Sequence, residues 1–257
     1  MPSKSNNILV AVFDGHGGSG AAIYAANNLI RVIESTDEWK QYIENGEESV
    51  CLVGDALTKA YFKIDEEIKI AQSGDDSRDT SGCTAVCAII TPKYIICANA
   101  GDSRCVVGSG GSTTPLSEDH KPDNEIERLR IESAGGWVDM NTKRVNGDLA
   151  LSRAFGDFSY KNRDDLPAEQ QKVSCEPDIR SHERSSEDDI LLLACDGLWD
   201  VFSSSAAIEF ARETLACGET NALLVAEELI DASLERGQLL GIILFSLLFR
   251  FIINKNI

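Results

Sequence analysis

Three apolar stretches of the chain each stop at an aspartate next to a glycine, and this repeated pattern constrains the fold more than any other feature. The stretches are ILVAVFDG at residues 8–15, YIICANAGD at residues 94–102 and ILLLACDG at residues 190–197. Short apolar runs rich in β-favouring residues predict buried strands, and a glycine at the end of a run permits a tight turn. We therefore expect separate buried strands whose ends carry Asp14, Asp102 and Asp196.

These three acids predict a metal site if their strands end side by side. Hard divalent cations such as Mg²⁺ and Mn²⁺ prefer oxygen ligands. Two such cations lower the pKa of a bridging water and hold a phosphoryl group for in-line attack. His16, two residues after Asp14, is then placed to donate a proton to the leaving oxygen. Each aspartate–glycine pair alone is more typical of a turn, so the metal-site interpretation depends on the three pairs together.

The composition is typical of one soluble globular domain with a strongly acidic surface. The 257 residues are 43% hydrophobic and 26% charged, and 42 acidic residues against 24 basic ones give a formal net charge of −18. A chain of this length buries a sizeable core as a single domain, and we expect a monomer. A negative surface repels phosphate backbones, which argues against nucleic acid as a partner.

The cysteines and the first residues indicate a reducing compartment. None of the eight cysteines forms a CxxC pair, and most lie inside apolar runs, as Cys87 and Cys97 do. We therefore expect small core residues and no disulfide or zinc framework. The first seven residues, MPSKSNN, lack the pattern of a secretory signal peptide. The predicted location is the cytoplasm or the nucleus, with membrane association through the carboxyl-terminal tail as the alternative.

Helical and strand patterns follow one another along the chain and predict a mixed α+β fold. In one predicted helix Leu57, Tyr61 and Ile64 recur at steps of three and four residues. Helices are predicted at residues 19–33, 53–71, 125–134, 205–216 and 220–236. Further strands are predicted at residues 81–91 and 104–109.

Seven ordered motifs resemble those of the metal-dependent protein phosphatases of type 2C, the PPM family. The match extends from about residue 9 to residue 237. The motifs are FDGHGG (13–18), SGCTA (81–85), NAGDSR (99–104), EDHKP (118–122), RVNGDLALSRAFGD (144–157), EPD (176–178) and ACDGLWDV (194–201). Because all seven occur in order at suitable spacing, the resemblance is specific and covers most of the chain.

The resemblance implies a four-layer α-β-β-α sandwich, with two antiparallel sheets face to face and helices outside. It also implies a site with two Mg²⁺ or Mn²⁺ ions and a water that bridges them. By matching motif, Asp14 would bridge both metals, the Gly15 carbonyl would bind one of them and Asp196 would bind the other. His16 would be the general acid that protonates the serine or threonine alkoxide.

Further residues take roles from the same resemblance. Asp102 and Asp200, together with Asp196, match positions that hold an additional, weaker metal in some members of the family. Asp157 lies in a motif that borders the region of the substrate flap. His120, in EDHKP, is interpreted as a residue that fixes a loop by hydrogen bonding.

Both ends of the sequence depart from the family pattern. The family has a phosphate-binding Arg and then a Met-Glu-Asp element with a metal-ligating Glu before its DGH strand. The 13 residues before Asp14 contain Lys4 and no Arg, Glu or Asp. The family also ends with an Asp-Asn pair, whereas no Asp or Glu follows Glu235. The expected fold is therefore incomplete at both ends, with a phosphatase-like domain at residues 1–237 and an atypical hydrophobic tail at residues 238–257.

The tail has two interpretations. Ser246 is the one polar side chain of residues 239–249, and Arg250 precedes three more apolar residues. This stretch is shorter than the ~20 apolar residues that a spanning helix needs. Residues 239–253 are interpreted either as a membrane-inserted or interfacial segment, or as a strand or helix that packs in the core.

The function implied by the resemblance is that of a protein serine/threonine phosphatase acting in signalling. It would hydrolyse phosphoserine and phosphothreonine, and phosphoproteins would be its partners. The alternative is a catalytically inactive phosphatase-like module that binds phosphoproteins, because two metal ligands and the phosphate-binding Arg of the family have no counterpart in this sequence.

Overall fold

Helices cover both outer faces of a pair of antiparallel sheets. The computed structural model describes residues 7–45, 49–74, 79–218 and 221–237 and the backbone of Ser246–Arg250. In these residues the helices are α1 (Gly20–Ser35), α2 (Asp37–Glu44), α3 (Val50–Gln72), α4 (Glu125–Ser133), α5 (Asp196–Trp199), α6 (Ser204–Ala216) and α7 (Ala222–Glu235). The strands are β1 (Ile8–Val12), β2 (Gly15–His16), β3 (Gly82–Cys83), β4 (Ala85–Ile90), β5 (Tyr94–Ala100), β6 (Arg104–Ser109), β7 (Ser112–Pro115), β8 (Val138–Asp139), β9 (Arg144–Val145), β10 (Phe155–Gly156), β11 (Asp178–Glu183), β12 (Asp188–Ala194) and β13 (Ser246–Arg250).

The five predicted helices are confirmed as α1, α3, α4, α6 and α7. The sequence pattern does not predict α2, which is eight residues long. This helix begins where Thr36 Oγ1 accepts a hydrogen bond from the N–H of Trp39, and Ser49 caps α3 by accepting from the N–H of Leu52. These side chains satisfy donors that the first turn of a helix leaves without an internal partner.

Two four-stranded sheets form the centre of the molecule. One has the order β1-β4-β5-β11 and the other β13-β12-β6-β7, and every neighbouring pair is antiparallel. The predicted strands that precede Asp14, Asp102 and Asp196 are β1, β5 and β12. Strands β1 and β5 belong to the first sheet and β12 belongs to the second, so the three acids come from both sheet layers.

Alternate residues of the central strands belong to different hydrophobic cores. In β12, Leu191 and Leu193 pack between the sheets, whereas Ile190 and Leu192 pack with α6 and α7. The residues of β4 and β5 alternate in the same way between the inter-sheet core and a cluster with α1 and α3. Side chains of a strand point to opposite faces in turn, so these strands are buried on both sides. The order of layers is helix, sheet, sheet, helix, which confirms the predicted sandwich.

A small three-stranded antiparallel sheet, which we call the ribbon, lies next to the end of β1. Its order is β10-β3-β2. His16 pairs with Gly82 across β2 and β3, and Gly82 pairs with Gly156 across β3 and β10. The ribbon therefore brings three distant sequence motifs into one row beside Asp14.

Only part of the apolar tail is described. The backbone of β13 pairs with β12 at the edge of the second sheet, with Ser246 opposite Ala194 and Arg250 opposite Ile190. This pairing agrees with a strand in the core for these five residues, while residues 238–245 and 251–257 lie outside the described part. In the described part of the chain no helix is both long and apolar enough to span a bilayer.

Candidate functional site

Asp14 lies two residues after β1, and one threonine fixes its backbone on both sides. The N–H of Thr84 donates to the carbonyl oxygen of Asp14 at 2.9 Å, and the N–H of Asp14 donates to Thr84 Oγ1 at 3.2 Å. The same hydroxyl lies 2.7 Å from Ser103 Oγ, next to Asp102. The end of β1 is thus tied to the turn between β5 and β6, which holds two of the strand-terminal acids in one hydrogen-bonded framework.

Asp196 is the first residue of α5 and follows β12 after one buried cysteine. A carboxylate oxygen of Asp14, a carboxylate oxygen of Asp196 and Cys195 Sγ all lie within 4.8 Å of one another. Both carboxylates are half-buried, whereas Cys195 is 1% exposed and packs between the sheets. The structure brings together two of the predicted metal ligands, and it adds a thiol that the sequence pattern does not predict.

We call Asp14, Asp102 and Asp196 the acid cluster. Burial raises the pKa of all three carboxyl groups, because water no longer stabilises their charged forms. Burial and the charges of Asp102, Asp14 and Asp200 raise the pKa of Asp196 to about 7, against the opposing effect of Lys121. The three carboxylates therefore concentrate negative charge in a place that is partly shielded from water. A bound cation would stabilise this charge.

The other two predicted ligands have different surroundings. Asp102 is buried and forms an ion pair with Lys121. Asp200 is exposed, and its N–H donates to the carbonyl oxygen of Asp196 at 2.8 Å. Among the described residues, the group of mutually close ligand atoms around Asp14 and Asp196 includes neither of them. The weaker metal position that these residues match stays a prediction, as does the role of the Gly15 carbonyl.

His16 is the last residue of β2, and its side chain contacts an acid 141 residues further along the chain. Its Nε2 is 2.7 Å from Asp157 Oδ2, and the two side chains are 30% and 7% exposed. Burial lowers the pKa of His16, but the hydrogen bond and charge of Asp157, with the charges of Asp14 and Asp102, raise it above its ordinary value overall. The surroundings therefore favour the imidazolium form, which is the form that donates a proton.

Two glycines allow this contact. A Cβ atom on Gly82 would lie 2.3 Å from the carboxylate of Asp157, and a Cβ atom on Gly156 would lie 2.3 Å from the carbonyl oxygen of Ser81. Gly156 and Asp157 both have left-handed backbone conformations, with φ of 75° and 53°. Asp157 thus reaches over the bare backbone of Gly82 to His16, a role that the sequence pattern does not assign to it.

His120 holds the turn that carries Asp102. Its ring Nδ1 accepts a hydrogen bond from the backbone N–H of Gly101 at 3.1 Å, and the backbone N–H of His120 donates to the carbonyl oxygen of Gly101 at 3.0 Å. Its Nε2 approaches Asp178 Oδ2 at 3.2 Å. The predicted structural role of His120, fixing a loop by hydrogen bonding, is confirmed.

A second group of charged residues is paired around the buried Glu127, and we call Glu127, Arg130, Arg153 and Asp178 the paired network. Carboxylate oxygens of Glu127 lie 2.7 Å from a guanidinium nitrogen of Arg130 and 2.7 Å from Nη2 of Arg153. The other terminal nitrogen of Arg153, Nη1, lies 3.0 Å from Asp178 Oδ1. Burial raises the pKa of Glu127, but Arg153 and Arg130 outweigh it and bring the pKa to about 2. His120 and Arg153 likewise bring the pKa of Asp178 to about 2. The sequence pattern does not predict this network.

Comparison with known proteins identifies the family. The protein phosphatase 2C family model matches residues 1–239. The chain belongs to the protein phosphatase 2C family. A probable protein phosphatase 2C of Caenorhabditis elegans is 40% identical over 216 residues, which cover 84% of this chain and 57% of that protein. Protein phosphatase 2C homolog 2 of Schizosaccharomyces pombe is 42% identical over 222 residues, which cover 86% of this chain and 56% of that protein.

A solved structure agrees with these relatives. The crystal structure of a phosphatase from a pathogenic strain of Toxoplasma gondii superposes with a TM-score of 0.80 and 27% identity, over 95% of this chain and 85% of that chain. The chain spans little more than half the length of the two curated 2C relatives named above. The resemblance of the seven motifs to type 2C phosphatases is thus confirmed at the level of the family.

The residues present fit the metal dependence of the 2C family. Carboxylate oxygens of Asp14 and Asp196 lie close together, and the raised pKa of Asp196 reflects negative charge without sufficient compensation. Carboxylates in this arrangement suit a hard divalent cation, whereas the thiol of Cys195 is a softer ligand. Asp14 and Asp196 are therefore the described side chains that would hold a metal.

Proposed function

We propose that this chain is a metal-dependent protein serine/threonine phosphatase that uses Mg²⁺ or Mn²⁺ and acts on phosphoserine and phosphothreonine in proteins. One observation supports it most strongly: paired carboxylates, Asp14 and Asp196, lie beside an imidazole, His16, that a buried acid orients. Membership of the 2C family supports the same substrate class.

Asp14 and Asp196 would hold the cations through their carboxylate oxygens. A bound divalent cation acts as a Lewis acid towards the phosphoryl oxygens and activates water. The half-buried position of both carboxylates limits competition from solvent, which strengthens electrostatic interactions inside the site. The hydrogen bonds between Thr84 and Asp14 hold one carboxylate in place before substrate arrives.

His16 would protonate the leaving group. Hydrolysis adds the oxygen of water to phosphorus and breaks the bond between phosphorus and the serine or threonine oxygen, which leaves as an alkoxide unless it receives a proton. Asp157 occupies Nε2 of His16, so the proton given to the alkoxide comes from Nδ1. Asp157 stabilises the imidazolium that holds this proton, and such general acid catalysis contributes about 10²–10⁴-fold to a rate.

A peptide assay tests the proposal. The purified chain is incubated with a phosphothreonine peptide and millimolar Mn²⁺, beside an Asp14→Asn variant and an Asp165→Asn variant. Asp165 forms an exposed ion pair with Arg163 and serves as a matched acid-to-amide control. We expect phosphate release from the wild type and from Asp165→Asn, and none from Asp14→Asn or in excess chelator. Equal inactivity of wild type and Asp14→Asn would overturn the proposal.

The same material tests the inactive binding module. This second candidate is a phosphatase-like module that binds phosphoproteins without hydrolysing them. It predicts no turnover together with measurable, phosphate-dependent binding of the peptide. Fluorescence anisotropy with phosphorylated and unphosphorylated peptides decides between the two candidates.

A further inference from the structure

A buried acid on α3 contacts the segment that carries Asp157. The N–H of Gly156 donates to Asp65 Oδ1 at 2.8 Å, across 91 residues of sequence. Asp65 is 6% exposed, and none of the seven sequence motifs contains it. Gly156 immediately precedes Asp157, so this hydrogen bond lies one residue from the acid that binds His16.

A lysine completes the attachment from the other side of the same segment. Lys161 Nζ lies 2.7 Å from Asp65 Oδ1 and donates to the carbonyl oxygen of Ala154 at 2.9 Å. The side chains of Lys161 and Asp65 are 6% and 9% exposed. Residues 154–161 are therefore attached to Asp65 on α3 through the N–H of Gly156 and the side chain of Lys161, and Lys161 also links the two ends of the segment through the carbonyl oxygen of Ala154.

The segment needs such attachment because its conformation is unfavourable. Asp157 has φ of 53°, a left-handed conformation that is unfavourable for a residue with a side chain because its Cβ atom comes too close to the following carbonyl oxygen. A buried ion pair is a poor source of stability, since dehydration of both charges offsets their attraction. The pair of Asp65 and Lys161 is better explained by the geometry that it imposes on Gly156 and Asp157.

We propose that Asp65 is a positioning residue for the His16–Asp157 pair. Its carboxylate holds the N–H of Gly156, which fixes the left-handed turn and directs the Asp157 carboxylate over Gly82 to His16. The catalytic consequence rests on the proposed phosphatase function, whereas the positioning itself does not.

Two double variants isolate the acceptor for Gly156. Asp65→Asn/Lys161→Met and Asp65→Leu/Lys161→Met remove the same two charges, and only the first keeps an oxygen that can accept from Gly156. Both residues line a cavity of about 300 Å³, so the apolar side chains have room. Asp65→Ala/Lys161→Met provides a smaller acceptor-free variant for use if the leucine variant does not fold.

The kinetic measurement compares two leaving groups. A phosphothreonine peptide releases an alkoxide that needs a proton, whereas 4-nitrophenyl phosphate releases a stable phenolate that does not. We expect the leucine variant to lose about 10²-fold in kcat on the peptide and little on 4-nitrophenyl phosphate, while the asparagine variant keeps the wild-type ratio. Equal losses on both substrates would show that Asp65 only supports the fold.

An NMR measurement decides the positioning without any activity. In the wild type we expect a slowly exchanging amide at Gly156 and an observable His16 Nε2–H signal, because both protons are hydrogen-bonded. The asparagine variant should keep both signals and the acceptor-free variants should lose both. If the acceptor-free variants keep them, the inference is wrong. An inactive wild type with the expected NMR pattern would instead overturn the phosphatase function alone.

Discussion

The acid cluster and the paired network are both built from partly or fully buried carboxylates, yet their electrostatic states are opposite. Glu127 in the paired network contacts two guanidinium groups, and its pKa is about 2. Asp196 in the acid cluster faces other acids, and its pKa is about 7. In the paired network both acids meet a guanidinium group, whereas in the acid cluster the described residues give an ion pair to Asp102 alone, with Lys121. The difference separates a structural ion network from a site prepared for an external cation.

The largest expected effect is on the paired network. Glu127→Ala leaves Arg130 and Arg153 without their shared partner in a buried place, and such a loss typically costs about 3–5 kcal/mol. We expect urea unfolding at neutral pH to show a decrease of this size in the free energy of unfolding. A change below 1 kcal/mol would remove the distinction between the two regions.

The pH dependence of this loss has a definite sign. The pKa of Glu127 is lowered in the folded protein, so its contribution to stability is complete above its ordinary pKa of 4.5 and disappears as the pH falls to about 2. The difference in stability between wild type and Glu127→Gln should therefore shrink from pH 5 to pH 2. Parallel stability curves over this range would contradict the assignment.

Added metal should distinguish the regions next. Saturating the site with Mn²⁺ at about 100 times its Kd stabilises the folded state by ~2.7 kcal/mol. We expect this gain for the wild type and for Glu127→Gln, and its loss in Asp14→Asn. Thermal unfolding with and without Mn²⁺ measures it, and an equal gain in Asp14→Asn would place the metal elsewhere.

Without metal, removing an acid from the cluster should stabilise the protein. The pKa of Asp196 is raised, so its ionisation destabilises the folded state as the pH rises from about 4 through 7. We expect Asp196→Asn to be more stable than wild type at pH 8 in chelator, by at least ~1 kcal/mol, since one pKa unit corresponds to about 1.4 kcal/mol. The gain should be absent at pH 4.

The smallest effect is expected at an exposed ion pair. Arg163 lowers the pKa of Asp165 to about 2, as happens to Glu127, but the Asp165 side chain is 65% exposed. Water compensates for the loss of such a partner, so Asp165→Asn should leave the unfolding midpoint unchanged. A clear decrease would show that a low pKa alone, without burial, marks a stabilising acid in this protein.

The sequence allows prediction of those site residues whose position depends on local pattern. Asp14 and Asp196 each follow an apolar strand. An apolar run predicts a strand that is buried on both faces, and in a sandwich two such strands from facing sheets can bring their ends close together. His120 was also predictable, since its hydrogen bonds to Gly101 serve a local turn. The fold itself follows from seven motifs whose order matches one family.

The partner of His16 could not be predicted in this way. Asp157 is 141 residues away, and its contact depends on the register of the ribbon and on two left-handed residues. Glu127 is equally hidden, because α4 has the composition of an exposed charged helix while Glu127 is 2% exposed. The sequence signals that were available are Gly82 and Gly156. A glycine can indicate that another group lies close to the backbone, but it does not identify that group.

Gly82 has a consequence for how the sequence can change. It has no side chain to react, bind or donate, yet a single methyl group there would occupy the space of the Asp157 carboxylate. In a saturation mutagenesis experiment selected for activity, position 82 should therefore tolerate no replacement, as a reacting residue would. A position of the ribbon that supplies no chemical group is therefore expected to be as constrained as one that takes part in the reaction.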